Sequence, residues 1–335
     1  MYSDNKTHQP ASLATHQVES RGTLTHSLVI IILFTAIMLF MAVTPKAAYA
    51  SGYDIWLYPI KFDTTSQQWS LGDGKAITDR DGYDNQAAFT QDSQAILFTS
   101  DRNGPHNDIY RYSLQDGKTN QLTHTPNESE FSPQDTSLGL MYVVEQGVPH
   151  QSVWLQQGNE PRKRAINSMI PSGYYAHIPQ VGTLIWARYA YSLYFEPQGE
   201  TADEGHFVVA NAGRSIHAIP NQAAFSFTHK REDGELLLSR FSPDNHAITP
   251  LISLGNGSED YAWSGKNLNA AWIFNIVENT LRVWPYPSDA TQRASWQAQD
   301  WIKVAQLKPP SEKHMQANRI AVSPDNQYMT IVWSR

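Results

Sequence analysis

The feature that most constrains this chain is a repeat with a period in the low forties. Segments 85–102 (NQAAFTQDSQAILFTSDR), 128–146 (ESEFSPQDTSLGLMYVVEQ) and 317–335 (ANRIAVSPDNQYMTIVWSR) share one outline. Each reads as an alternating strand, a turn built from Ser or Thr, Pro or Gln, and Asp, then a second apolar strand. Fainter copies occupy 175–190, 215–230 and 260–278. With the turn residue as register mark, the copies fall at Gln91, Pro133, Pro179, Pro220, Gly265 and Pro324, in steps of 42, 46, 41, 45 and 59. A unit of that length holding four short strands cannot bury both of its faces alone; stacking such units around a ring buries them. Six marks therefore predict an all-β fold, a six-bladed β-propeller.

The long last step is expected from extra residues over 288–316 that lengthen an outer strand and its following loop. A second Ser-Pro-Asp-Asn, at 242–245, follows Pro220 too closely to mark another blade. It is expected at the turn between the third and fourth strands of its own blade. Third strands read at 107–114, 150–157, 191–198, 234–241 and 279–286, five for six blades. The sixth lies at the other end of the chain: YDIWLYPI (53–60) matches NDIYRYSL (107–114) nearly position for position, and 67–78 can supply a fourth strand. One blade is thus expected to combine 53–60 and 67–78 with 317–335, closing the ring and removing open sheet edges.

Composition agrees with strands, since 10 Trp and 16 Tyr accompany only 17% charged residues. Residues 51–335 read as a single propeller domain. Ahead of them, 28–43 is an uninterrupted apolar run of 16 residues, short of the roughly 20 a spanning helix needs. Ala48, Tyr49 and Ala50 read as a signal-peptidase site, so 1–50 is either a cleaved signal peptide or an N-terminal anchor to the inner membrane. Both place the propeller in the periplasm or otherwise outside the cytoplasm. The chain has no cysteine, which excludes disulfides, thiolate metal sites and a cysteine nucleophile. Beyond residue 50 there are 22 basic and 30 acidic residues, a net charge of −8 that argues against a nucleic-acid partner.

At the repeat motifs the chain resembles the TolB-type propeller family, whose pattern runs Ser-Pro-Asp-Gly, an apolar strand, Ser-x-Arg-x-Gly and Asp-Ile-Tyr. Ser132, Pro133 and Asp135, and again Ser323, Pro324, Asp325 and Asn326, follow its first half; Ser100, Arg102, Gly104, Asp108, Ile109 and Tyr110 follow its second. The stretch 121–133 is similar to the family's connection between blades. The resemblance implies a bare propeller in the cell envelope, without the α/β domain that precedes it in TolB or the hydrolase domain of propeller oligopeptidases, which needs a G-x-S-x-G elbow.

Candidate chemistry is sparse. Asp79, Asp81 and Asp84 alternate around Gly82, a spacing suited to a calcium loop and equally to a plain turn between blades. Nine histidines lie beyond residue 50, none at a recognisable ligand spacing. His177 and His217 stand out because both fall on first strands of adjacent blades, where the central channel runs. Tyr174, Tyr175 and Glu130 are expected near them. Trp154, Trp186, Trp263, Trp272 and Trp284 occupy apolar strand positions and read chiefly as wedges between blades. Two functions fit: a noncatalytic binding or scaffold protein for a protein or envelope partner, or a small hydrolase or lyase acting on a glycan or lactone with a divalent metal in the channel.

Overall fold

The computed structural model describes residues 52–147, 150–199, 205–255, 259–265, 268, 270–287 and 300–335. The signal or anchor reading of 1–50 lies outside them. No helix among the described residues is long and apolar enough to cross a membrane.

The chain opens with β1 (Tyr53–Asp63), β2 (Gln68–Leu71) and β3 (Lys75–Ala76). Blade 1 follows as β4 (Asp84–Phe89), β5 (Ala95–Ser100), β6 (Asp108–Ser113) and β7 (Thr119–Gln121). Blade 2 is β8 (Ser129–Thr136), β9 (Gly139–Glu145), β10 (Gln151–Gln156) and β11 (Lys163–Arg164). Blade 3 is β12 (Ser172–Ile178), β13 (Gly182–Ala187), β14 (Ser192–Pro197) and β15 (His206–Val209). Blade 4 is β16 (Ala212–Ala218), β17 (Phe225–Lys230), β18 (Leu236–Ser242) and β19 (Ala247–Ser253). Blade 5 is β20 (Tyr261–Trp263), β21 (Ala270–Val277), β22 (Thr280–Pro287) and β23 (Ile302–Gln306). Blade 6 takes β24 (Ala317–Val322) and β25 (Tyr328–Ser334) from the C-terminal segment and β1 from the N-terminal one, in the order β2-β1-β25-β24, with β3 also paired to β1. The fourth strand expected over 67–78 is thus two short pieces on successive halves of β1.

The repeat motif is a turn with its own hydrogen bonds. In blade 6, Tyr328 N donates to Ser323 Oγ at 2.9 Å, and the Ser323 hydroxyl donates to Asp325 Oδ1 at 2.5 Å. Blade 1 repeats it: Ala95 N donates to Thr90 Oγ1 at 3.0 Å, and that hydroxyl donates to Asp92 Oδ1 at 2.6 Å. The following residue turns left-handed in both, Asn326 at φ 62° and Ser93 at φ 60°. Gly265 marks the blade 5 turn because a Cβ there would lie 1.9 Å from the Pro324 carbonyl oxygen.

One mark behaves differently. Pro133 sits inside β8 beside a break in register between Phe131 and Gln134, and the blade 2 hairpin turns later, between Thr136 and Gly139. An inner edge strand tolerates Pro at such a bulge. The second Ser-Pro-Asp-Asn does fall between the third and fourth strands of blade 4, β18 and β19. The outer strand of blade 5, expected to be lengthened, has only 5 residues; part of the extra chain, 288–299, lies outside the described residues.

Among the described residues, hydrophobic side chains gather into six clusters, one at each junction between neighbouring blades. The tryptophans are the expected wedges: Trp186 between blades 3 and 4, Trp263 and Trp284 between blades 4 and 5, Trp272 between blades 5 and 6. Trp154 packs at the junction of blades 1 and 2 under Arg162, 4.8 Å from its ring.

Candidate functional site

Six first strands, β4, β8, β12, β16, β20 and β24, surround the propeller axis, and five of them shift register near their start. Such bulges re-aim side chains out of the regular alternation. Gln86 and Ser132 stand in two of them at φ 55° and 53°. Gln86 Oε1 accepts from Ser132 N at 2.7 Å and from Thr99 Oγ1 at 3.1 Å, tying blade 1 to blade 2. Residues from all six first strands enclose a central cavity of about 340 Å³.

One end of this cavity is charged. Arg319 of β24 donates to the Tyr174 hydroxyl of β12 at 2.6 Å, its guanidinium 5.1 Å from the centre of the same ring. Neighbouring blades pack in chain order around the ring, so blades 3 and 6 face each other and this bond crosses the channel as a bar. Beside it, Arg214 pairs with Glu259 and, at 2.7 Å, with Asp260 Oδ2, while Lys230 approaches Glu259 at 3.3 Å. The same Arg214, Glu259 and Asp260 border a second hollow of about 500 Å³, reached by Lys230, Glu278 and Asn318.

His177, His217, Tyr174 and Tyr175, all on first strands, line the central cavity. Their roles differ. The Tyr175 hydroxyl donates to the Ser132 carbonyl at 3.2 Å, and complete burial pushes its pKa well up, so it acts as a joint between blades 2 and 3. His217 lies edge-on to Tyr261 with ring centres 4.7 Å apart and Nε2 3.2 Å from Ser215 Oγ. Burial drives its pKa down to about 4, against the pull of Asp260, and keeps the ring neutral at pH 7. His177 Nδ1 lies 3.0 Å from Thr183 Oγ1, whereas its Nε2 is buried without a partner. Burial lowers its pKa as well.

Glu130 is placed elsewhere. It is buried in β8 and absent from the cavity wall, where it accepts from Thr123 and, at 2.8 Å, from Thr125, both in the connection from blade 1. Arg162 approaches it at 3.3 Å. Burial outweighs these partners and raises its pKa to about 7. The carboxyl is therefore protonated in the fold but ionised in the unfolded chain between pH 4.5 and about 7, and its ionisation opposes folding above that window. Glu130→Gln is expected to stabilise the protein at pH 8 by roughly 1–3 kcal/mol relative to its effect at pH 4, read by urea unfolding at both pH values.

The three aspartates offered as a calcium loop are occupied by arginines. Asp79 and Asp81 bind the two terminal nitrogens of Arg335, while Asp84 turns inward to Arg102 at 3.2 Å and Arg80 at 3.4 Å. A guanidinium held by the fold neutralises Asp79 and Asp81, and Asp84 faces a different pair of cations. Among the described residues no three His, Asp or Glu side chains form a group that could hold a metal ion. The residues not singled out in the sequence are Arg214, Asp260 and Arg319. Opposite charges opening the first strands of successive copies, Arg214 and Asp260, and an arginine inside the apolar run ANRIAV were the available signals.

No family model matches the sequence, and no curated protein matches it. Among solved structures, a protein assigned as TolB from Agrobacterium tumefaciens superposes with a TM-score of 0.56 at 10% identity, over 85% of this chain and 99% of that one. TolB from Acinetobacter baumannii superposes with a TM-score of 0.50 at 10% identity, over 94% of this chain and 70% of that one. Together with blade count, strand order and the shared-blade closure, the likeness defines the architecture: this chain is a six-bladed β-propeller of the TolB-like fold.

Proposed function

We propose that the protein is an exported, noncatalytic binding protein that holds a protein or another envelope component against the blade 3 side of its charged channel mouth. The observation that carries this reading is a continuous aromatic path from solvent to the channel. Tyr191, 56% exposed, packs on Trp186 with ring centres 5.5 Å apart; Trp186 packs on Tyr174 at 5.5 Å; Tyr174 holds Arg319. Tyr189, Met169 and Phe207 of the same blade region are also exposed, at 51%, 67% and 59%. Tyr, Met and Arg are the residue types enriched where proteins meet, because they offer large contact area with a polar end. The ionisable groups at the mouth already engage one another, Arg214 with Glu259 and Asp260, which supports a positioning role over an acid and base pair. The apolar run and small-residue site before residue 51 support export.

A photoreactive phenylalanine analogue placed at Tyr191 should give a discrete crosslinked species in intact cells, and the same analogue at Leu138, an exposed position of blade 2, should not. Equal crosslinking at both positions, or none at Tyr191, would refute the assignment of this face.

A further inference from the structure

Arg319 is a cation in the wall of the channel whose hydrogen-bond partner is a neutral phenol. Among the described residues no carboxylate lies within salt-bridge distance of it, whereas Arg214 beside it has two, Glu259 and Asp260. Guanidinium groups drawn out of water are ordinarily matched by an anion, because an uncompensated charge in a low-dielectric site is costly. Here Asp260 supports the cation only from beyond contact distance, and its direct partner is the phenol of the opposite blade. Three further polar atoms of residues lining the same cavity are buried without partners: Ser132 Oγ on blade 2, His177 Nε2 on blade 3 and Arg214 Nε on blade 4. These groups belong to residues of different blades that line one space of about 340 Å³ open to solvent, within the range of small-ligand sites.

We propose that the central channel binds a small organic carboxylate, with Arg319 pairing to the carboxylate and Ser132 and His177 hydrogen-bonding polar groups on the rest of the ligand. Arginine suits the first role because its planar fork matches a carboxylate with two parallel hydrogen bonds. Tyr174 then acts as a displaceable bar: its hydroxyl holds Arg319 in place without ligand and competes with the incoming carboxylate. Ser132 Oγ can donate or accept, and the uncharged His177 ring offers one further contact, so hydroxylated acids suit the cavity better than fatty acids. This proposal goes beyond the partner-binding reading: both use the Tyr174–Arg319 pair, but ligand binding is tested inside the channel and partner binding at the exposed Tyr191, so either can fail alone.

The test is isothermal titration of the propeller with malate, galacturonate and gluconate at millimolar concentration, alongside a tripeptide with a free C-terminal carboxylate and its amidated form. Saturable binding is expected for at least one carboxylate. Binding of the hydroxy acids alone assigns a free metabolite-like ligand; binding of the free tripeptide, lost on amidation, assigns a chain terminus entering the channel. Arg319→Gln should weaken the bound acid by about 30-fold or more, as loss of a buried charge partner does. Tyr174→Phe removes only the competing hydroxyl and should tighten binding several-fold, a gain that misfolding cannot imitate. No binding by either protein, or affinity unchanged in Arg319→Gln, overturns the proposal.

Discussion

Removing residues 328–335 is expected to abolish the cooperative unfolding transition of the whole propeller, seen as loss of near-ultraviolet circular dichroism and of the urea midpoint. Strand β25 lies between β24 and β1 and is the C-terminal strand that pairs with the N-terminal one in blade 6. Its pairing with β1 runs unbroken from Tyr53 opposite Ser334 to Pro59 opposite Tyr328. Met329, Ile331, Val332 and Trp333 are at most 1% exposed and feed two clusters, those joining blade 6 to blade 5 and to blade 1. Trp333 also donates its indole N–H to the Tyr58 hydroxyl at 3.1 Å. Four such side chains contribute on the order of 8 kcal/mol by burial alone, at about 2 kcal/mol each. That is comparable to the whole stability of a typical domain, about 5–15 kcal/mol. Exposing the edges of β1 and β24 adds a tendency to aggregate. A truncated protein that melts like the intact one would show that blade 6 is not closed by this pairing.

What the sequence disclosed about this architecture was local. The hairpin turns are legible because their hydrogen bonds connect residues two to five positions apart, as between Ser323, Asp325 and Tyr328. The closing blade is legible because the Asp-Ile pair beginning a third strand makes the same contacts twice. Ile109 N donates to Thr123 Oγ1 at 2.8 Å, and Ile55 N donates to Thr78 Oγ1 at 2.9 Å. Pro133 misled as a turn mark because Ser-Pro-x-Asp also suits a bulged edge strand, and periodicity does not separate the two. The channel mouth was hidden for another reason: Arg319 meets Tyr174 across 145 positions and across the ring, where no spacing rule applies. Glu130, expected to reach the channel from a loop entering a first strand, lies within β8 and turns to the threonines of the preceding connection, partners that local spacing does not announce. Likewise, Asp79 and Asp81 share a partner, Arg335, more than 250 positions away, which no local spacing announces.

That arginine anchors the second large effect. Asp54 is fully buried at the start of β1 and accepts from four directions: the Thr78 hydroxyl at 3.0 Å, Arg80 N at 3.1 Å, Arg335 Nε, and a contact to His314 Nε2 at 3.1 Å. It thereby links the N-terminal strand, the loop into blade 1, the segment before β24 and the last residue of the chain. The Arg335 side chain is only 3% exposed, whereas its other partners, Asp79 and Asp81, are 63% and 86% exposed. Exposed pairs are screened by water and typically give about 0–1 kcal/mol. Deleting one partner of a buried pair is different in kind, since it leaves the other charge desolvated and uncompensated at a cost of about 3–5 kcal/mol. Asp54→Ala is therefore expected to lower the unfolding free energy by about 3–5 kcal/mol and Asp81→Ala by less than about 1 kcal/mol, both read from urea titrations. Combining Asp54→Ala with Arg335→Ala should cost clearly less than the sum of the single changes, because the second removes the guanidinium that the first leaves with only its two exposed partners. If Asp54→Ala were no more harmful than Asp81→Ala, the seam would be held by strand pairing and apolar packing alone, and the buried cluster would be incidental to closure.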